Sequence, residues 1–181
     1  MKNNLPPYWY WENPLPTKVL EQAIEDGAKY EKTKGGIGDS VVRSDYRDSD
    51  IIMLPSSYWL NGILMNFAIH ANLSARWNRE ITRPECVQYA DYTVGQFYDW
   101  HFDSSLVSDE PENRKLSVVC MLSDSTEYDG GGFCIEGIQE PIKLEKGSII
   151  VFPSIIRHKV NPVTRGIRRT AICWVMGPTR W

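Results

Sequence analysis

Histidine is scarce in this chain: His70, His101 and His158 are the three in 181 residues. Any chemistry that needs imidazoles must therefore draw on very few positions. The four cysteines, Cys86, Cys120, Cys134 and Cys173, form no CxxC pair, which argues against a structural zinc site. Scattered singly among apolar residues, they read as small core side chains in a reducing compartment. A formal net charge of -3 gives no broad basic field, so no nucleic-acid partner is expected. No apolar run is long enough to cross a bilayer, so no membrane partner is expected either. The N-terminus MKNNLPPYWYWENPLP lacks the basic-then-aliphatic order of a secretory signal. A cytoplasmic protein is the simplest expectation. No internal repeat or low-complexity tract is visible.

What is present is ordinary in bulk and unusual in its aromatics. The chain is 42% hydrophobic and 24% charged, as a soluble globular protein is, and its length suits one domain with a real core. Seven tryptophans and nine tyrosines point to large buried or cleft-lining rings.

Residues 1–16 read as extended, because Pro6, Pro7, Pro14 and Pro16 each disfavour helix in the residue before them. A helix is expected over about 17–30, with Thr17 as its N-cap, then a KTKGGIG loop. A strand is expected near 49–54. A second helix should run from Pro55-Ser56-Ser57 to about Trp77, with Leu60, Ile63, Leu64, Phe67, Ile69 and Leu73 at roughly helical period. His70 sits within it and reads as a half-buried helical histidine. After Pro84 the texture turns to β: CVQYADY, FYDWHFD, KLSVVCMLSD, GGFCIE, PIKLEK, GSIIVFPS, HKVNPV and RRTAICWVMG are short segments between turn signals. Several are apolar on both faces, so a second layer must cover them. The expectation is an α+β fold in one domain spanning 1–181. Its core is a jelly-roll double sheet over about 79–178. N-terminal helices from about 1–78 pack on one sheet.

The chemistry centres on Tyr92 to Asp103, YTVGQFYDWHFD. In a strand, His101 and Asp103 would point to the same face. An imidazole beside a carboxylate is two-thirds of the facial triad used by non-haem Fe(II) oxygenases. His158, in the strand-like run IIVFPSIIRHKV, is the better third ligand. Arg168 follows ten residues later, past a Pro162–Gly166 turn, where a hairpin can return its guanidinium to the same cavity. Its planar donors match a carboxylate's two oxygens. In a regular strand Arg168 shares a face with Thr170, Ile172 and Trp174, while Arg169 points away. Which face is inside is left open by the pattern, as is a solvated turn for Arg165, Arg168 and Arg169.

Tyr92-x-x-Gly95-x-x-Tyr98-x-x-His101-x-Asp103 resembles the motif of the prolyl 4-hydroxylase-like Fe(II)/2-oxoglutarate dioxygenases. GGGFCIE and GSIIVFPS…HKVNPVTRGIRRTAICW are similar to that family's second half, so the likeness covers roughly residues 80–176. It implies a double-stranded β-helix, with His101, Asp103 and His158 as Fe(II) ligands and Arg168 on the distal carboxylate of 2-oxoglutarate. It also implies Tyr92 and Ser117 at the cofactor pocket and Trp174 lining the catalytic cavity. Core packing is the competing reading for Tyr92 and Trp174, and the preferred one for Tyr98. The reaction implied couples oxidative decarboxylation of 2-oxoglutarate by O2 to hydroxylation of a C–H bond, releasing succinate and CO2, with ascorbate as reductant. A prolyl residue in a protein or peptide is the expected substrate, read by the 32–50 segment and the loop Ser104–Lys115. A free amino acid or small metabolite is the alternative substrate. A cupin-like metal- or ligand-binding module without turnover is the competing class. It would have no need of Arg168. Metal-assisted hydrolysis is disfavoured, since no carboxylate is placed as a dedicated base.

Overall fold

The computed structural model describes residues 5–36, 42–104 and 110–180. In chain order the elements are β1 (Trp9–Trp11), α1 (Thr17–Gly27), β2 (Thr33–Lys34), β3 (Arg47–Asp48), β4 (Asp50–Leu54) and α2 (Trp59–Ser74). Then come β5 (Arg83–Tyr92), β6 (Phe97–His101), β7 (Glu112–Met121), β8 (Tyr128–Gly130) and β9 (Phe133–Ile135). The chain closes with β10 (Ile149–Pro153), β11 (His158–Val160), β12 (Val163–Gly166) and β13 (Arg168–Pro178).

Among the described residues the strands form a seven-stranded sheet, β1-β10-β7-β13-β5-β4-β2, and a four-stranded sheet, β3-β6-β11-β9. A short β12-β8 ribbon stands apart. The crossovers between the two main sheets make a jelly roll with helices on the outer face of the larger sheet.

Period 2 sorts the side chains of the large sheet into two cores. Val118 and Cys120 on β7, Ile149 and Val151 on β10, and Ala171, Cys173 and Val175 on β13 face the helices. Val119 and Met121, then Ile150 and Phe152, face the smaller sheet. Strands apolar on both faces are thus explained by having a layer on each side. α2 lays Leu60, Leu64, Ala68 and Ala71 on this sheet, spaced by three and four. Among the described residues no helix is long and apolar enough to cross a membrane.

Several boundaries differ from expectation. α1 ends at Gly27, and its N-cap is Pro16, not Thr17, with no side-chain cap bond. α2 starts at Trp59, after a turn through residues 56–58, and stops at Ser74. Ile69 and Leu73 are exposed, because Ala68 and Ala71 take the buried face. That helix is apolar nearly all round, so its pattern alone could not phase it. The N-terminal part is not purely helical: β1, β2 and β4 extend the large sheet and β3 the small one. PIKLEK holds only a bridge from Ile142 to Phe133. The stretch read as a Pro162–Gly166 turn is mostly strand, β12, paired with β8.

Candidate metal and co-substrate site

His101 and His158 are direct partners across the antiparallel β6–β11 pair. Their ring centroids lie 4.1 Å apart. Asp103 sits just beyond the end of β6 rather than within it, and its backbone N–H donates to the Ser154 carbonyl at 3.0 Å. That bond turns the carboxylate back toward both rings. Oδ1 stands 3.6 Å from His101 Nε2 and Oδ2 stands 3.5 Å from His158 Nε2.

Both imidazoles are held in one tautomer. His101 Nδ1 lies 2.7 Å from the Asp99 carbonyl and His158 Nδ1 lies 2.9 Å from the Ile156 carbonyl. A carbonyl only accepts, so each Nδ1 carries the hydrogen and each Nε2 keeps a lone pair aimed at Asp103. Burial, reinforced by the neighbouring His158 imidazole, pushes the His101 value down to about 3. A neutral imidazole is the ligating form. Burial alone would raise Asp103, but the two imidazoles and a hydrogen bond from Ser117 outweigh it and hold the carboxyl below its usual range.

The three ligand atoms all lie within 4.8 Å of one another. With metal–ligand bonds of about 2.1 Å, donors on adjacent octahedral vertices are about 3 Å apart, so a small inward adjustment admits one ion. Two imidazoles and a carboxylate suit Fe(II) and leave other positions open. His70 is exposed on α2 and takes no part.

This cluster lines a cavity of about 1010 Å³ between the two sheets. The volume is at the top of the range for ligand pockets, roughly 300–1,000 Å³. Arg168, Thr170, Ile172 and Trp174 of β13 all face it, as period 2 requires once that face is inside. Arg169 points the other way and reaches Asp91 at 3.4 Å, while Arg165 pairs with Asp129 at 2.6 Å.

Arg168 is different from both. It is 2% exposed, and no carboxylate pairs with it among the described residues. Burial lowers its value, opposed by the Tyr92 and Tyr128 hydroxyls. Tyr92, its cross-strand partner, lies with its ring 5.6 Å from the guanidinium. A buried guanidinium without an anion is costly, and it fits the far carboxylate of a dicarboxylic co-substrate. Gly131 packs against it at φ +60, where an added Cβ would stand 2.8 Å from Arg168 Cδ. The glycine-rich segment is therefore shaped around this side chain.

Ser117 and Trp174 face each other across β7–β13. Ser117 does not line the cavity. Its hydroxyl donates to Asp103 Oδ2 at 2.6 Å and meets Ser154 Oγ at 2.9 Å. It acts behind the metal cluster, through Asp103. Trp174 does line the cavity, and its indole N–H is buried with no partner among the described residues. The Arg114 guanidinium covers that ring at 3.7 Å, held by Glu85 at 2.6 and 3.0 Å.

Tyr98 packs against the inner core, as the preferred reading had it, and also lines the cavity and stacks on His101. Arg47, Tyr46 and Arg114 also line the cavity and carried no signal in the sequence. Arg47 enters only because β3 pairs with β6, opposite Tyr98. Residues 37–41 and 105–109, within the two segments expected to read substrate, lie outside the described residues.

A model of the 2OG-Fe(II) oxygenase superfamily matches residues 87–176. Similar proteins include a PKHD-type hydroxylase of Gloeothece citriformis, 34% identical over 51% of this chain and 43% of the relative. A PKHD-type hydroxylase of Prochlorococcus marinus is 36% identical over 61% of this chain and 51% of the relative. The chain thus spans about half the length of the curated relatives it matches. In fold it resembles a Pseudomonas putida prolyl-4-hydroxylase, TM-score 0.74 at 20% identity, over 93% of this chain and 92% of that one. It also resembles a viral collagen prolyl hydroxylase of Paramecium bursaria Chlorella virus-1, solved with 2OG, TM-score 0.73 at 19% identity, over 95% and 97%.

Proposed function

The chain belongs, through residues 87–176, to the 2OG-Fe(II) oxygenase superfamily, and from that premise we propose that it hydroxylates a C–H bond using Fe(II), 2-oxoglutarate and O2, with a prolyl residue of a protein or peptide as substrate. The observation that carries this reading is Arg168: a buried guanidinium with no carboxylate of its own among the described residues, in the cavity that His101, Asp103 and His158 share. A non-catalytic metal-binding module would have no use for it.

His101, His158 and Asp103 would hold the ion, and Ser117 and the two backbone carbonyls fix the orientation of these side chains. When bound, the ion and the keto acid supply the oxidising chemistry that the side chains lack. Arg168 and Tyr92 orient the co-substrate by its far end. Phe133 and Phe152 close on His158 at 5.7 and 4.7 Å and keep water from that side. Trp174 adds ring surface to the wall of the same cavity. Trp100 and the exposed Phe102 line the same cavity and give a peptide apolar surface to lie on. The prolyl substrate is supported by the likeness in fold to a prolyl-4-hydroxylase and a collagen prolyl hydroxylase.

The test is succinate release by purified protein with Fe(II) and 2-oxoglutarate, across a panel of proline-containing peptides and free amino acids. A +16 Da product on a prolyl residue is the expected result. Turnover on free amino acids alone would replace the peptide reading. No turnover, together with 2-oxoglutarate failing to bind, would leave the binding-module class.

A further inference from the structure

His101 is gripped from a second direction that the ligand set does not explain. Its ring lies face to face with Tyr98, centroids 3.4 Å apart and planes 9° from parallel. On the Tyr98 ring sits the Arg47 guanidinium, 4.6 Å from the centroid. Arg47 is itself fixed at three points: Nε donates to Ser49 Oγ at 3.0 Å, Nη1 to the Gly36 carbonyl at 2.8 Å, and Nη2 to Gln88 Oε1 at 3.2 Å. Gly35 presses on the same group, since a Cβ there would stand 2.5 Å from Arg47 Nε. Tyr46 braces Tyr98 edge-on at 5.9 Å.

We propose that Arg47 is a positioning residue for the metal centre, acting through Tyr98 to fix the plane of the His101 imidazole. This rests on reading His101, Asp103 and His158 as a metal site. The Nδ1 bond to Asp99 sets which nitrogen faces the ion, yet one hydrogen bond leaves the ring free to swing about it. The flat contact with Tyr98 removes that freedom, and a cation over a tyrosine face holds the ring in turn. The device also joins two parts of the chain. Gly35, Gly36 and Arg47 precede the residues that match the superfamily, 87–176. The backbone around Gly36 is thereby tied to an iron ligand through two stacked contacts. Groups that orient a ligand from outside the coordination sphere change metal affinity by about 10- to 100-fold when removed.

The experiment uses the whole 181-residue apo-protein titrated anaerobically with Fe(II) and with Co(II), following heat and the visible spectrum of the Co(II) form. Wild-type binding tests the metal site itself, and differences among variants test the stack. Arg47→Ala and Tyr98→Leu should bind each ion about tenfold more weakly and shift the Co(II) bands. Tyr98→Phe keeps the ring and should bind within twofold of wild type. Arg47→Lys keeps the charge but loses the planar group and its three anchors, and should fall between; it serves if Arg47→Ala does not fold. Unchanged metal affinity and spectrum in folded Arg47→Ala or Arg47→Lys protein would overturn the proposal. So would Tyr98→Phe losing as much as Tyr98→Leu, since the hydroxyl rather than the ring would then matter. A defect confined to the KM of an organic substrate would assign Arg47 to substrate instead, and also overturn it.

Discussion

Ser117 donates its hydroxyl to Asp103 Oδ2 at 2.6 Å, the same oxygen that faces His158 Nε2. A carboxylate that must point one oxygen at an ion gains from having its rotation fixed. Replacing Ser117 by Ala removes that bond and leaves a void of one oxygen, so the fold should survive. The expected outcome is about tenfold weaker Fe(II) binding, read by calorimetry, with an unchanged far-UV spectrum. Unaltered affinity would show that the Asp103 backbone bond to Ser154 suffices to orient the carboxylate.

Arg168 and Gly131 make a linked pair of predictions. A hydrogen bond to a charged group contributes about 1.5–3 kcal/mol, so Arg168→Ala should raise the KM for 2-oxoglutarate by roughly 10- to 150-fold at 1.4 kcal/mol per decade. Arg169→Ala should not, because that side chain faces Asp91 on the other side of the strand. Gly131→Ala meets Arg168 Cδ at 2.8 Å at a positive φ. It should raise the same KM with Arg168 intact and cost about 1–2 kcal/mol of stability from the left-handed backbone. Normal KM in Gly131→Ala would mean that Arg168 can give way without losing its aim.

The His101–Asp103 pair and the β13 face were legible because they obey short-range rules. His101 and Asp103 are two residues apart, and Arg168, Thr170, Ile172 and Trp174 alternate. Even there the strand ended at His101, and it was the Asp103–Ser154 bond, not the pleat, that turned the carboxylate inward. Arg47 and Arg114 were not legible. Each reaches the cavity because a distant strand places it there, β3 beside β6 and β7 beside β13. No local pattern marks such a residue. The phase of α2 failed for a different reason: with apolar residues nearly all round, Ala68 and Ala71 won the inner face over Ile69 and Leu73. Small side chains let the helix approach the sheet.

Leu64 tests that packing. It is fully buried where α2 meets the large sheet. Leu64→Ala should destabilise by about 2–5 kcal/mol, the usual cost of lost burial plus a residual cavity. Leu73→Ala, at 65% exposed, should stay within about 0.5 kcal/mol. Urea midpoints measure both. Equal losses would mean that α2 is rotated from the orientation seen.

The last prediction concerns acid and the metal-free protein. His101 has an ordinary value of 6.5 and is pushed down to about 3 by burial and the neighbouring His158 imidazole. Between those values the unfolded chain holds a proton that the folded chain refuses. Stability must therefore fall as pH drops from about 6.5 toward 3, by up to about 1.4 kcal/mol per pH unit for this one group. Asp103, held below its ordinary 3.8, adds a loss of the same sign at the acid end. Urea unfolding from pH 7.5 to 4.5 in a chelator should show the slope, and His101→Asn, which cannot take up that proton, should flatten it. Saturating Fe(II) under anaerobic conditions should raise stability at pH 7.5 and make the acid loss steeper, because ligand protonation then also releases the ion. A profile that is flat in both forms would mean that the imidazole is protonated in the folded protein, and a protonated imidazole cannot serve as a ligand.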